Sequence, residues 1–238
     1  PAAALPGAFG SGAGTVNRLS GTGWMTYDAN GAWRGFEDHE ISFGLHRDAE
    51  TYNQRRNALT DWIAGGLGGV ANAARGRTAT NAVWAQDIWT ITPDIKAAIG
   101  GRYEDWRAYD GLNYSASPAL NVSQPRIQAS TFSPKATVSW QVSDPWRLTA
   151  SYGQAYRMPT VTELYQSVTT GATLSVPNPN LKPEHSNDYE LAGEYKTGNG
   201  LVRLSLYQQD IANALLSQSA PLVAGSTALF SYVQNVDR

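Results

Sequence analysis

Apolar and polar residues alternate with a period of two along several segments of the chain, which is the pattern of a β-strand with two different faces. In residues 136–142 every second position from 136 is apolar, and the positions between them carry Thr137, Ser139 and Gln141. The same alternation recurs in residues 40–46, 95–104, 146–153 and 189–196. No stretch approaches the run of about 20 apolar residues that a membrane helix needs. The pattern predicts an all-β fold of antiparallel strands.

Turn signals divide the chain into about nine predicted strands. We place these strands near residues 15–27, 33–47, 78–91, 95–107, 132–142, 146–157, 187–197, 201–210 and 228–236. Tight turns are predicted near Asn30-Gly31, Thr92-Pro93-Asp94, Ser143-Asp144-Pro145 and 197–200, and long connections near 48–77, 108–131, 158–186 and 211–227. Short and long connections therefore fall at opposite ends of the strands.

This separation is typical of outer-membrane β-barrels, which have short periplasmic turns and longer extracellular loops. Trp33, Trp140, Trp146 and Tyr195 flank predicted turns, where an interfacial aromatic girdle lies. We therefore expect an antiparallel transmembrane β-barrel, with the apolar face of each strand against outer-membrane lipid. A soluble β-sandwich also alternates, but its apolar faces pack on each other. Nine strands are an odd number that does not close into a barrel, so the outermost strands would have unpaired edges. We therefore expect an incomplete barrel, which ends near a turn at Asp237.

Composition narrows the possible functions. The chain has 238 residues, a net charge of -2, 16% charged residues and no Cys, so it has neither the basic surplus of a nucleic-acid-binding protein nor a thiol for catalysis. His39, His46 and His185 lack the close spacing of a metal site, and no GxSxG-type nucleophile motif is present. We therefore expect no enzyme activity, no metal or cofactor, and no nucleic-acid partner.

Two weak motifs have plain structural readings. Asp28 and Asn30-Gly31 resemble the start of a calcium loop, but His39 stands where the bidentate carboxylate belongs, so a hairpin turn is the better reading. The glycines at 65, 66, 68 and 69 have no strand-to-helix context for a phosphate site and indicate a loop.

Ordered motifs in the second half of the chain resemble those of TonB-dependent receptors. They are YGQAYRMPT at 152–160, ELY at 163–165, NPNLKPE at 178–184 and YEL at 189–191. Weaker similarities are AQD at 85–87, GGRY at 100–103, FSPK at 132–135 and YVQNV at 232–236. The resemblance thus covers most of residues 40–238.

The resemblance implies a bacterial outer-membrane protein with a barrel of about 22 strands, plugged by an N-terminal globular domain. On this view residues 1–14 are a flexible Gly/Ala-rich segment or loop, and residues 15–238 are part of the barrel, without the plug and the closing strands. Pro1 opens no signal peptide, which agrees with an internal fragment. The resemblance further implies energised uptake of a scarce ligand, most often a ferric siderophore, with TonB acting through the absent plug. A passive diffusion porin remains the alternative, since it shares the alternation and the long loops.

The signature residues are expected to have mainly structural roles. They are Tyr152, Arg157, Pro159, Glu163, Leu164, Asn178, Pro179, Leu181, Pro183, Glu184, Tyr189 and Glu190. Pro159 ends strand pairing because it has no N–H, and the other prolines fix an irregular loop. Arg157 and the glutamates at 163, 184 and 190 are expected to form a luminal or rim ion network that orients the loop.

Ligand contacts are expected from aromatic and polar residues in the long connections. The candidates are Trp62, Arg107, Tyr109, Tyr114, Tyr165 and Gln166. Ordinary exposed loop aromatics are an equally good reading of the same residues.

Overall fold

The computed structural model describes residues 12–117, 119–170, 173–221 and 223–237. These residues form fourteen strands and one short helix. The strands are β1 (Gly14–Arg18), β2 (Gly23–Phe36), β3 (His39–Leu59), β4 (Leu67–Thr92), β5 (Ile95–Ser115), β6 (Leu120–Ser123), β7 (Ile127–Ser143), β8 (Trp146–Arg157), β9 (Val168–Thr170), β10 (Thr173–Val176), β11 (Glu184–Thr197), β12 (Gly200–Ala212), β13 (Ala214–Pro221) and β14 (Leu229–Val236), and the helix is α1 (Val161–Tyr165). Residues 1–11 of the predicted flexible segment lie outside this description.

Ten of the strands form one antiparallel sheet, so the predicted all-β antiparallel class is confirmed. Its path runs β1-β3-β4-β5-β7-β8-β11-β12, with β2 paired to β3 and β6 paired to β5. A second sheet has the order β13-β14-β10-β9, in which β10 and β14 run parallel. Among the described residues β12 pairs with neither β1 nor β2, so the large sheet is an open wall.

The wall has an apolar face and a polar face, as the alternation predicted. Register places Val83 of β4, Tyr103 of β5 and Phe132 of β7 side by side on one face, which we name the outward face. All three are about half exposed instead of packed against another sheet. This arrangement excludes the β-sandwich alternative, whose apolar faces would cover each other.

The exposed apolar residues form a band of the height that a membrane needs. Along β5 the band runs from Ile95, beside Trp140, to Tyr103, beside Phe132. Eight residues at about 3.3 Å each, tilted by about 40°, span about 20 Å, close to the apolar band of outer-membrane barrels. No helix in the described parts of the chain is long and apolar enough to cross a membrane.

Three of the four predicted tight turns are confirmed, at residues 93–94, 144–145 and 198–199. Beside two of these turns the rings of Trp146 and Tyr195 lie 4.7 Å apart, in agreement with the predicted aromatic girdle. The predicted turn at Asn30-Gly31 is wrong, because β2 continues through it and the turn falls at residues 37–38. Gly31 instead lies under the Phe43 ring, which would be 2.8 Å from an added Cβ.

The strands are longer than the alternation predicted. Residues 48–77 and 108–131 are mostly strand rather than loop, and only the short segment 60–66 separates β3 from β4. The predicted connection 158–186 contains α1, β9 and β10, and residues 211–227 contain β13. Above the lipid band the outward positions of the strands are no longer apolar, although the backbone pairing continues. The alternation therefore stops before the strands end.

The buried core lies on the inward face, at the end of the wall opposite the tight turns. It joins Tyr52, Ala74, Trp106 and Ala108 of the wall to Val161, Leu164, Tyr165 and Leu181 of the segment that follows β8. The structure thus places the signature segment against the inside of the barrel wall.

Candidate functional site at the inner wall

The signature segment leaves the wall at the end of β8 and turns at once into α1. Thr160 has an extended backbone and caps the helix: its hydroxyl accepts a hydrogen bond from the Glu163 amide, and its own amide donates to Glu163 Oε2 at 2.8 Å. This reciprocal arrangement is a capping box, which satisfies two amides that the helix leaves unpaired. Arg157 donates to Glu163 Oε1 at 2.5 Å, so the same carboxylate also ties the helix to β8.

Removing the Glu163 carboxylate is expected to loosen α1. Glu163→Ala deletes the cap contact and the ion pair together, and loss of a cap alone costs about 1 kcal/mol. Hydrogen exchange of the amides of residues 160–166 is expected to become at least several-fold faster. Lys182→Ala, at an exposed position of the same signature segment, is the control and is expected to leave that exchange nearly unchanged, because Lys182 bonds to Asn235 through its backbone. Equal exchange in the two variants would contradict the assigned role of Glu163.

The apolar side of α1 is fully buried against β3, β4 and β5. Leu164 and Tyr165 have no exposed surface, and the Tyr165 ring lies flat over two strand glycines. A Cβ on Gly76 would be 2.0 Å from Tyr165 Cδ2, and one on Gly111 would be 2.4 Å from Tyr165 Cε1. These glycines let the helix approach the wall closely.

Polar side chains surround this contact on the inward face. Asn113 donates to the Tyr165 carbonyl at 2.9 Å and accepts a hydrogen bond from Gln124 at 2.9 Å. The Tyr52 hydroxyl donates to Gln54, whose amide donates to Asn17 at 3.1 Å. These amides and hydroxyls form a mostly buried hydrogen-bonded cluster on the inside of the barrel.

Both tyrosines at this site remain neutral at physiological pH. Burial raises the pKa of Tyr52, and burial followed by the charge of Asp110 raises the pKa of Tyr165 to about 12. The Tyr165 hydroxyl is buried and has no hydrogen-bond partner among the described residues. Tyr165 therefore acts as a packed phenol and not as a phenolate.

The second half of the signature segment is fixed by asparagine side chains. Asn178 donates to the Val233 carbonyl at 2.9 Å. Asn235 accepts from the Lys182 amide at 2.8 Å and donates to the Lys182 carbonyl at 2.9 Å. Since residues 233 and 235 belong to β14, the NPNLKPE loop is held on the small sheet, and Leu181 beside it is buried.

The predicted ion network of Arg157, Glu163, Glu184 and Glu190 forms only in its first pair. Arg157 pairs with Glu163 alone, whereas Glu184 accepts a hydrogen bond from the Leu215 amide at 2.6 Å. Glu190 lies lower on the wall and pairs with Arg203 at 3.0 Å. These carboxylates belong to different strands and different heights of the wall, so each finds a local partner.

The remaining signature residues lie on the wall and in the loop that leads into β11. Tyr152 and Tyr189 are neighbours on the outward face, with ring centroids 5.2 Å apart. Pro159 is fully buried where the chain leaves β8. Pro179 and Pro183 flank the buried Leu181 in the loop that leads into β11. Their assignment as structural residues stays a prediction.

The six predicted ligand contacts do not come together. Register places Arg107, Tyr109 and Tyr114 on the outward face, because they pair with Ala79, Arg77 and Ala73 of β4. Trp62 is 45% exposed near the tip of the β3–β4 hairpin. Tyr165 and Gln166 lie on the inside, and Tyr165 is inaccessible while α1 is docked. A contact of these residues with a ligand stays a prediction.

The sequence analysis missed the inward polar residues that do cluster, namely Tyr52, Gln54, Asn113 and Gln124. Period-two counting along β3 from the outward Leu45 would have assigned residues 52 and 54 to the inside. Asn113 follows the irregularity between residues 75 and 77 of β4, so counting from Tyr103 gives the wrong face for it. No group of three or more His, Asp or Glu residues suited to a metal ion occurs in the described parts of the chain.

Comparisons with known proteins identify the same architecture. The family model described as "TonB dependent receptor-like, beta-barrel" matches residues 4–238. The iron-regulated outer membrane virulence protein of Vibrio cholerae is 23% identical over 192 residues, which are 77% of this chain and 24% of that protein. The hemin receptor of Yersinia pestis is 34% identical over 119 residues, 45% of this chain and 16% of that receptor.

Solved structures agree with the fold. The copper transporter OprC superposes with a TM-score of 0.69 at 14% identity, covering 94% of this chain and 34% of that one. The ferric yersiniabactin uptake receptor FyuA of Yersinia pestis superposes with a TM-score of 0.58 at 15% identity, covering 86% of this chain and 30% of that one. The chain therefore spans about a third or less of the length of these relatives.

Proposed function

The chain belongs to the TonB-dependent receptor family as part of its β-barrel. From this premise we propose that the whole protein imports a scarce ligand, a ferric siderophore, across the bacterial outer membrane. Members of this family are outer-membrane transporters and not enzymes. The observation that carries the proposal is the capped, buried signature segment, which fixes the mouth of the barrel from the inside.

In the proposed mechanism this chain supplies part of the wall and of the ligand-facing mouth. On the inward side the buried amides of Gln54 and Asn113 are hydrogen-bonded within the protein, and the part-exposed side chains of Gln124 and Gln166 present neutral amides beside them. Such groups suit a ligand that carries carbonyls, hydroxyls and aromatic rings around a metal ion. TonB is the proposed energy partner, through a plug that lies outside this chain.

The relatives leave the ligand class open between two iron carriers. The Vibrio cholerae relative is named as iron-regulated, FyuA takes up ferric yersiniabactin, and the Yersinia pestis relative is a hemin receptor. We place a ferric siderophore first because the part-exposed inward groups beside α1, Gln124 and Gln166, are neutral amides. A haem ligand would be a histidine, and among the described residues no histidine lies in the buried contact between α1 and the wall.

Uptake by cells that carry the receptor gene as their sole iron receptor tests the proposal. Cells starved of iron receive a radiolabelled ferric siderophore or hemin, and collapse of the proton-motive force is expected to abolish accumulation of the siderophore. Accumulation that persists without that force would favour the passive porin. Accumulation of hemin but not of any siderophore tried would overturn the proposed ligand class.

Matched glutamine variants test the inward surface. Gln166→Ala, on the inside, removes hydrogen bonds worth about 1–1.5 kcal/mol and is expected to weaken siderophore binding by about tenfold. Gln128→Ala, on the outward face, is expected to bind within twofold of the unchanged receptor. Equal affinity in both variants would contradict ligand contact at the inner wall.

A further inference from the structure

The outward face of the wall changes from apolar to basic just above the lipid band. The last apolar row consists of Leu45, Val83, Tyr103 and Phe132. Above it, arginines outnumber acids on the outside of β3, β4, β5 and the start of β7. The arginines are Arg47, Arg55, Arg75, Arg77, Arg107 and Arg126, and the acids are Asp105 and Asp110. This face looks away from the barrel interior, so transport through the lumen does not account for its charge.

Two cavities lie one above the other on this face. The lower cavity, of about 510 Å³, has mostly apolar walls from Tyr27, Leu45, Val83 and Tyr103, with Arg47 and Asp105 at its upper side. The upper cavity, of about 840 Å³, is polar and is lined by three arginines, at 75, 77 and 126, against one acid, Asp110. The apolar lower cavity suits the acyl chain of a lipid, and the basic upper cavity suits an anionic headgroup.

The upper cavity keeps positive charge available for a ligand. Arg77 approaches Asp110 at 3.5 Å, but both side chains are more than half exposed, so this pair is weak. In the described parts of the chain neither Arg75 nor Arg126 has a carboxylate within ion-pair distance. The Arg126 guanidinium lies 6.0 Å from the centre of the Tyr109 ring, which orients it toward the cavity. A phosphate is the group that such arginines bind best.

The height of the upper cavity distinguishes between lipid classes. Tyr109 is six residues above Tyr103, the top of the apolar band, which is about 15 Å along the membrane normal for a strand tilted by about 40°. The headgroup zone of an ordinary bilayer is only about 5–8 Å deep on each side. The phosphate of a glycerophospholipid reaches the level of Arg47 but not that of Arg75 and Arg126. A phosphorylated saccharide headgroup extends further and reaches Arg75 and Arg126 as well.

We propose that this outer-wall surface binds a phosphorylated glycolipid of the outer leaflet, with an acyl chain in the lower cavity and headgroup phosphates on Arg75, Arg77 and Arg126. The bound lipid seals the side of the barrel where β3, β4 and β5 rise above the membrane. The proposal rests on the outer-membrane location and does not depend on which ligand is imported.

Binding of lipopolysaccharide to the purified full-length receptor tests this proposal. The receptor in nonionic detergent, stripped of lipid, is titrated with fluorescent lipopolysaccharide, and the variant with Arg75→Gln, Arg77→Gln and Arg126→Gln is expected to bind at least about tenfold more weakly. The control carries Arg34→Gln, Arg102→Gln and Arg203→Gln, three arginines that line neither cavity, and is expected to bind within twofold of the unchanged receptor. Equal binding by the two triple variants would overturn the proposal.

Further probes separate charge, fold and lipid class. Lysine at positions 75, 77 and 126 is expected to retain most of the binding, and a loss as large as with glutamine would overturn the assignment to charge. Chemically dephosphorylated lipopolysaccharide and phosphatidylglycerol vesicles are expected to bind weakly and equally to the unchanged receptor and the glutamine variant. Competition by millimolar inorganic phosphate as effective as that by lipopolysaccharide would mean a free-anion site and would also overturn the glycolipid proposal.

Discussion

Gly76→Ala is expected to release the Tyr165 ring from the barrel wall and to undock α1. The added Cβ would lie 2.0 Å from a ring carbon of Tyr165, which has no exposed surface and therefore no free space to move into. Overpacking of this kind costs about 1–3 kcal/mol, so hydrogen exchange in residues 160–166 is expected to accelerate by about 5- to 150-fold. Gly76 has an ordinary negative φ, so the whole effect is steric.

Two further variants identify the cause of the release. Gly153→Ala is the matched control, because Gly153 also lies in a strand of the wall and its added Cβ meets no atom within 4 Å. Combining Gly76→Ala with Tyr165→Ala is expected to add little to the effect of Tyr165→Ala alone, since the ring that clashes is then gone. Fully additive effects, or an equal effect at Gly153, would contradict the packing described for α1.

Val138→Arg is expected to destabilise the barrel in the membrane by about 2 kcal/mol, the lower end of the range for an arginine near the bilayer midplane. Val138 is 46% exposed and lies two residues from the lower edge of the apolar band at Trp140. Ser139→Arg, one position along β7, projects into the interior and is expected to cost less than about 1 kcal/mol. Reversible unfolding of the full-length receptor from lipid bilayers by guanidinium measures both values.

The comparison of the two neighbours is more informative than either value. A receptor that tolerated arginine equally at both positions would have no lipid-facing side on β7. A greater loss at Ser139 than at Val138 would require the opposite orientation of the whole strand, because one step along a strand changes the face.

The membrane part of the wall was predictable because lipid on one side and a polar interior on the other impose a period-two pattern. Residues 136–142 and 146–153 alternate for this reason, and their faces are confirmed. This constraint on the sequence no longer applies above the apolar band, where lipid does not contact the outward face. Residues 48–59 pair as continuous strand, but their outward positions meet water, so their sequence resembles that of a loop.

The errors at single residues also have physical causes. Asn30-Gly31 has the residue types of a tight turn, yet Gly31 is required by the close approach of the Phe43 ring. Alternation from the outward Tyr103 does assign Arg107 and Tyr109 to the outside, but their residue types suggested a ligand site. Tyr114 follows an irregularity at Asp110, which has a positive φ of 58°, so only the register with β4 fixes its face.

The signature segment was recognisable from its order of residues, but its partners were not. Arg157 and Glu163 lie six residues apart and could be paired from the sequence. Asn178 bonds to Val233, 55 residues away, and Tyr165 needs Gly76 and Gly111, contacts that only the folded wall creates. The position of the inner surface therefore required the structure.

The orientation of the wall in the membrane is tested most directly by spin labels at Val138 and Ser139. Because the chain contains no Cys, single cysteines at the two positions carry the label within this region without interference. In lipid bilayers the label at 138 is expected to collide often with oxygen, which concentrates in the lipid, and rarely with a water-soluble nickel chelate, while the label at 139 shows much lower access to oxygen. Equal access to oxygen at both positions, or higher access at 139, would contradict a lipid-facing outward surface.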